Sequence, residues 1–113
     1  MKIEVRFRGL ESSEAVRAQV ERRAHFQLSR FSSEVKSLVV RVSDVNGPKG
    51  GVDKRCHVTA RGPSLAAVTI EEMSGDVHSA IDVALERVAR AVTRELQRTR
   101  MSRRAVGGLR QAY

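Results

Sequence analysis

Cysteine occurs once in the 113 residues, at Cys56, so no intramolecular disulfide can staple the chain and a reducing compartment suits it. Long apolar runs are missing as well: none approaches the roughly 20 residues a helix needs to span a bilayer. The opening MKIEVRFRG alternates polar and apolar residues, where a signal peptide would carry an apolar block after its basic residues. These absences together point to a soluble, cytoplasmic protein. Aromatics are scarce, with three Phe, one Tyr and no Trp, too few for the paired strand aromatics on which an RNA-recognition-motif sheet stacks bases. Acid is scarce in one region only. Residues 1–86 hold 13 Lys+Arg against 12 Asp+Glu, whereas residues 87–113 hold eight arginines against one carboxylate, Glu95. Crowding like charge opposes a compact state, and solubility does not require segregation, so the expected partner is a polyanion, either nucleic acid or an anionic membrane surface.

The length suits one domain with one core. KIEVRFR puts Ile3, Val5 and Phe7 on one face of a half-buried strand, which Gly9 ends. Ser12 or Ser13 can cap a helix from Glu14 to about Phe31, with Val16, Val20, Ala24, Leu28 and Phe31 as its apolar stripe. Three further strands follow, in VKSLVVRVSDV, KRCHVTAR and LAAVTIEE, the last with Ala66, Val68 and Ile70 on one face. The NGPKGG stretch, residues 46–51, reads as a hairpin loop. A second helix spans about 76 to 100, with Asp76 near its positive end and a stripe of Val77, Ala80, Ile81, Ala84, Leu85, Val88, Val92 and Leu96. The order β-α-β-β-β-α predicts an α+β fold in which two helices pack on one face of a four-stranded sheet, with the first two strands parallel and the rest antiparallel. Residues 1–100 form the domain, and residues 101–113, MSRRAVGGLRQAY, read as a flexible basic C-terminal tail.

Catalytic constellations are weak. Cys56 and His57 are neighbours on a strand, so they point to opposite faces and cannot act as nucleophile and base, and Cys56 falls on the core register. His25, His57 and His78 have no metal-ligand spacing. GPKGG lacks the ending of a phosphate loop and is expected to be a hairpin tip, with Lys49 able to reach a phosphate. Glu71, Glu72 and Asp76 read as dipole and solubility residues, ahead of the alternative of a metal site. The protein is therefore read as a non-enzyme with no metal and no cofactor. The stronger signal lies on the second helix, where Arg87, Arg90, Arg94 and Arg98 are separated by three, four and four residues. At about 100° per residue they form a band about 80° wide, centred about 120° from the apolar stripe. Guanidinium groups match phosphate bidentately and stay charged at any physiological pH, so this band is a candidate RNA-binding face. Arg22, Arg23 and Arg30 of the first helix are additional candidates, and Phe26 on the same flank is either a base-stacking aromatic or a partly covered surface residue.

The stretch DVHSAIDVALERVARAVTREL, from Asp76 to Leu96, resembles the final helix of the ribosome hibernation promoting factor family, also called ribosome-associated inhibitor A. Ser79, Ala80, Ile81 and Asp82 stand at that family's small residue and Ala-Ile-Asp positions. SEAVRAQVERR and VVRVSDV resemble its front end, and the likeness spans about residues 2 to 100. The resemblance implies a monomeric translation inhibitor that binds the small ribosomal subunit and its ribosomal RNA in the mRNA/tRNA channel during stress or stationary phase, with no membrane and no small-molecule substrate as partners. On that basis the helix-two contacts are Arg87, Arg90, Arg94 and Arg98, joined by Arg22, Arg23 and Arg30. Two departures stand out: His78 occupies a position usually aromatic, and the NGPKGGVD loop is longer than usual. The chain resembles a short form, for which self-driven ribosome dimerisation is not implied. Competing expectations are a double-stranded RNA-binding module and a protein-interaction module that uses the same basic helix face.

Overall fold

A computed structural model describes residues 1–45 and 53–111, with side chains as far as Met101. The element order is β1 (Lys2–Arg8), α1 (Glu14–Leu28), a 3-10 turn (Ser29–Phe31), β2 (Ser37–Asp44), β3 (Lys54–Gly62), β4 (Leu65–Ser74) and α2 (Val77–Gln111). The four strands form one mixed sheet in sequence order. β1 and β2 run parallel, as the crossover through α1 requires, and the remaining pairs are antiparallel. The expected α+β fold is the observed one.

Alternation along the strands decides what the sheet buries. Val5, Leu38, Val40, Val42, Cys56, Val58 and Ala60 point inward and are buried, and α2 lies over β3 and β4 while α1 packs on α2 and β1. The helix stripes meet this layer: Val16, Val20, Ala24 and Leu28 from α1, and Ala80, Ile81, Ala84, Leu85, Val88, Val92 and Leu96 from α2, are buried in the same core. Each larger aliphatic side chain so removed from water contributes about 1.5–3 kcal/mol.

Local chemistry sets the ends. Ser13 caps α1 by accepting the Val16 amide at 3.2 Å, and Asp76 accepts the His78 and Ser79 amides at 3.4 and 3.3 Å to start α2. Gly9 turns the chain out of β1 with φ +74°, and a Cβ there would stand 3.0 Å from the Asp44 carbonyl oxygen.

Three details depart from the sequence reading. The α-helix of α1 stops at Leu28, and the step to Phe31 is a 3-10 turn. On β4, Ala66 is exposed and Leu65 is buried instead, because a register irregularity between Ala60 and Gly62 moves the start of the strand by one residue. Finally, α2 continues through Gln111, so residues 101–111 are helical where a loose tail was expected. Met, Arg, Ala, Leu and Gln all favour helix and no proline intervenes; Gly107 and Gly108 oppose it by only about 1 kcal/mol each. The NGPKGG loop, with Lys49, and residues 112–113 lie outside the described residues.

Candidate nucleic-acid interface

The four α2 arginines are all exposed, as a band away from the buried stripe demands, but their surroundings differ. Arg87 is tied to the sheet: its Nη1 donates to the Glu71 carbonyl at 2.9 Å and to the Glu72 carboxylate at 2.6 Å. Arg90 pairs with Glu86 one turn back, and Arg98 lies 3.8 Å from Glu95 while remaining 80% exposed. Such exposed pairs are worth a few tenths of a kcal/mol and exchange readily for a phosphate. Arg94 has no acidic partner among the described residues.

The helices bring a fifth arginine to this band. A groove of ≈ 580 Å³ between the end of α1 and the middle of α2 is lined by Gln27, Arg30, Glu86, Ala89, Arg90, Thr93 and Arg94. Arg30 is held in place by stacking over the Phe31 ring at 4.8 Å. Residues 30 and 94 are distant in sequence, and only the α1–α2 packing makes them neighbours.

Arg23 has a different position. Its guanidinium grips Asp82 of α2 at 2.9 and 3.3 Å, and Gln19 donates to the same carboxylate at 2.8 Å and to the His78 carbonyl at 3.0 Å. Gln19 Oε1 in turn accepts from the His78 ring. The Arg23 hydrogen bond holds the Asp82 carboxyl below its ordinary value, and the partnership raises Arg23. Arg23 is therefore a strut between helices. Sequence reasoning did not find this network, and Gln19, buried on the margin of an apolar helix stripe, was the available signal. Arg22, by contrast, is exposed beside Phe26 in a hollow floored by Ala15 and Ala18. Phe26 is 75% exposed, so most of its ring is open to solvent.

The acids before α2 have structural partners. Glu72 binds Arg87, Glu71 binds Arg55 at 2.9 Å, and Asp76 is a cap whose carboxyl is lowered first by the Ser79 hydroxyl. Burial, with a smaller contribution from Glu72, pushes the Cys56 thiol up to about 12, so it is inert as a nucleophile and packs in the core. No cluster of three metal-ligating side chains occurs among the described residues, and no helix among them is long and apolar enough to cross a membrane.

Residues 3–100 match the model of the family described as sigma 54 modulation protein / S30EA ribosomal protein. The chain belongs to that family. The resemblance to ribosome hibernation factors is thus upheld over nearly the whole domain. Among solved structures, the N-terminal domain of Protein Y from Thermus thermophilus is 28% identical, with a TM-score of 0.69 over 83% of this chain and 98% of that one. A ribosomal subunit interface protein from Coxiella burnetii shares the fold, at 17% identity and a TM-score of 0.68 over 83% and 96% of the two chains. A sequence comparison with curated proteins gives no match. The family's description names a modulation protein and a ribosomal protein.

Proposed function

We propose that this protein is a ribosome-associated translation inhibitor that binds ribosomal RNA of the small subunit in the mRNA/tRNA channel during slow growth or stress. The observation that carries the reading is the groove in which Arg30, Arg90 and Arg94 converge, on a domain that belongs to a family described by a ribosomal protein. Arginines placed there replace condensed counterions on RNA phosphates, and their release drives association. Inhibition follows from occupancy: a folded domain in the channel excludes the ligands of translation, and no bond is made or broken. The contacts are Arg90, Arg94, Arg98 and Arg30, with Arg87 and Arg22 at the margins and Phe26 available to stack on an unpaired base. Arg23 supports them by fixing the two helices relative to each other. The protein acts as a monomer in the cytoplasm, without a cofactor.

Cosedimentation with purified small subunits and whole ribosomes tests this. The wild type travels with small subunits at low salt, dissociates as salt rises, and prefers them over plain RNA duplex. Replacing Arg90, Arg94 and Arg98 together with Gln leaves the thermal midpoint within a few degrees, since only weak surface pairs are lost, and abolishes cosedimentation. Normal binding by the triple variant would sink the assignment of the helix face, and stronger binding to plain duplex would favour a duplex-binding module.

A further inference from the structure

The sheet face opposite the helices carries a second basic surface that charge counts along the chain conceal, because residues 1–86 are nearly neutral overall. Strand register gathers it. Arg6 on β1 lies directly beside Arg41 on β2, and Arg41 lies directly opposite His57 on β3. In the adjacent row Arg8 and Arg55 flank Ser43. Lys2 and Arg61 continue the same face around Ser37, so six permanent cations stand against two carboxylates, Glu4 and Glu71. Those two acids are already held by Arg6 and Arg55 at 2.9 Å each. Arg8 and Arg41 form no ion pair among the described residues, although Arg41 is near enough to Glu4 to help lower its carboxyl.

Like charges set directly side by side across strands are destabilising, and nothing in the fold requires arginine at an outward position. The arrangement becomes favourable when an anion lies over it. Arg6, Arg8, Arg41, Arg55 and His57 in fact line one hollow of ≈ 420 Å³ at this end of the sheet. Two of these residues carry buried nitrogens with no hydrogen-bond partner, Arg55 Nε and His57 Nδ1. An unpartnered buried donor is costly, and a phosphate oxygen can satisfy it.

We infer that the open sheet face around Arg8, Arg41, Arg55 and His57 is a second RNA-phosphate site, so that the domain is held between two RNA segments, one on its helices and one on its sheet. This rests on the ribosomal RNA reading above. The fitting chemistry is a run of backbone phosphates, since a row of guanidiniums spaced across strands meets a row of anions.

Binding of purified small subunits is measured across a salt series for the wild type, for R8Q/R41Q, and for the charge-matched control K36Q/R100Q, both of whose sites are exposed and lie outside the sheet hollow and the α2 band. The sheet variant is expected to bind about tenfold or more weakly, with the salt slope reduced by about one unit per lost phosphate contact, and the control much less affected. Its thermal midpoint stays at or above that of the wild type, because repulsion is relieved. A photo-crosslinker at position 41 should capture a ribosomal RNA segment different from the one captured at position 94. If wild-type protein ignores ribosomes, the functional reading itself fails. If it binds but R8Q/R41Q matches the wild type in affinity and slope, or position 41 captures only protein or no partner, the second site is refuted. A lower midpoint for R8Q/R41Q would show that these arginines stabilise the sheet, and would also overturn it.

Discussion

Asp82 and Phe26 show how one side chain can serve the fold or the partner. Asp82 accepts from Arg23 and Gln19, so its carboxyl titrates below the ordinary 3.8 in the folded state. A depressed folded value means that its stabilisation is fully present above the unfolded value and is lost as pH falls through the folded one. Asp82→Asn should therefore lower stability at pH 7 by about 1 kcal/mol, a figure limited by the solvent exposure of the pair. In urea melts the gap between variant and wild type should close as pH drops below about 4. A gap that persists unchanged at pH 2 would show that the Arg23 pairing is not its origin. Phe26, exposed beside Arg22, contributes little to the core. Phe26→Ala should leave the thermal midpoint unchanged while weakening ribosome binding by about 1–3 kcal/mol, the usual worth of a base stacked on an aromatic ring. Equal binding by the two proteins would leave the ring without a role.

Among the elements, the strands and helices are legible from periodicity and their ends are less so. The buried stripe of α2 and the strand alternation through Val40 and Val58 were readable because each repeats at the period of its own backbone geometry. The register at the β3–β4 corner was not, because Gly62 answers to a distant segment. A Cβ on Gly62 would stand 1.6 Å from the Glu34 carbonyl oxygen, in the same corner where the Lys36 amide donates to Arg61 at 2.8 Å. Gly62→Ala must push that backbone aside, with an expected loss of about 2–3 kcal/mol and a fall in thermal midpoint on the order of 10 °C. A shift below about 2 °C would mean that the strand corner yields freely. The arginine band of α2 was equally legible in its spacing. Which members are free was not, since Glu72 reaches Arg87 from β4.

At the scale of the whole molecule, the domain is basic on two opposite surfaces with an apolar layer between them. Since Arg8 and Arg41 share no contact with Arg94 among the described residues, their contributions should add. A variant combining R8Q/R41Q with R94Q should lose affinity by the product of the separate losses, and its salt slope should fall by about three units. A combined loss no greater than the larger single one would indicate that only one face engages RNA.

Hydrophobic periodicity, a local property read within one segment, sets the element types, most of the core residues and the outward direction of the α2 arginines. Tertiary structure decided which cations remain available. It spent Arg23 on Asp82 and Arg87 on Glu72, brought Arg30 to Arg94, and aligned Arg6 with Arg41 through strand register. Charge pairing depends on distances between segments remote in sequence, and no period along the chain encodes them.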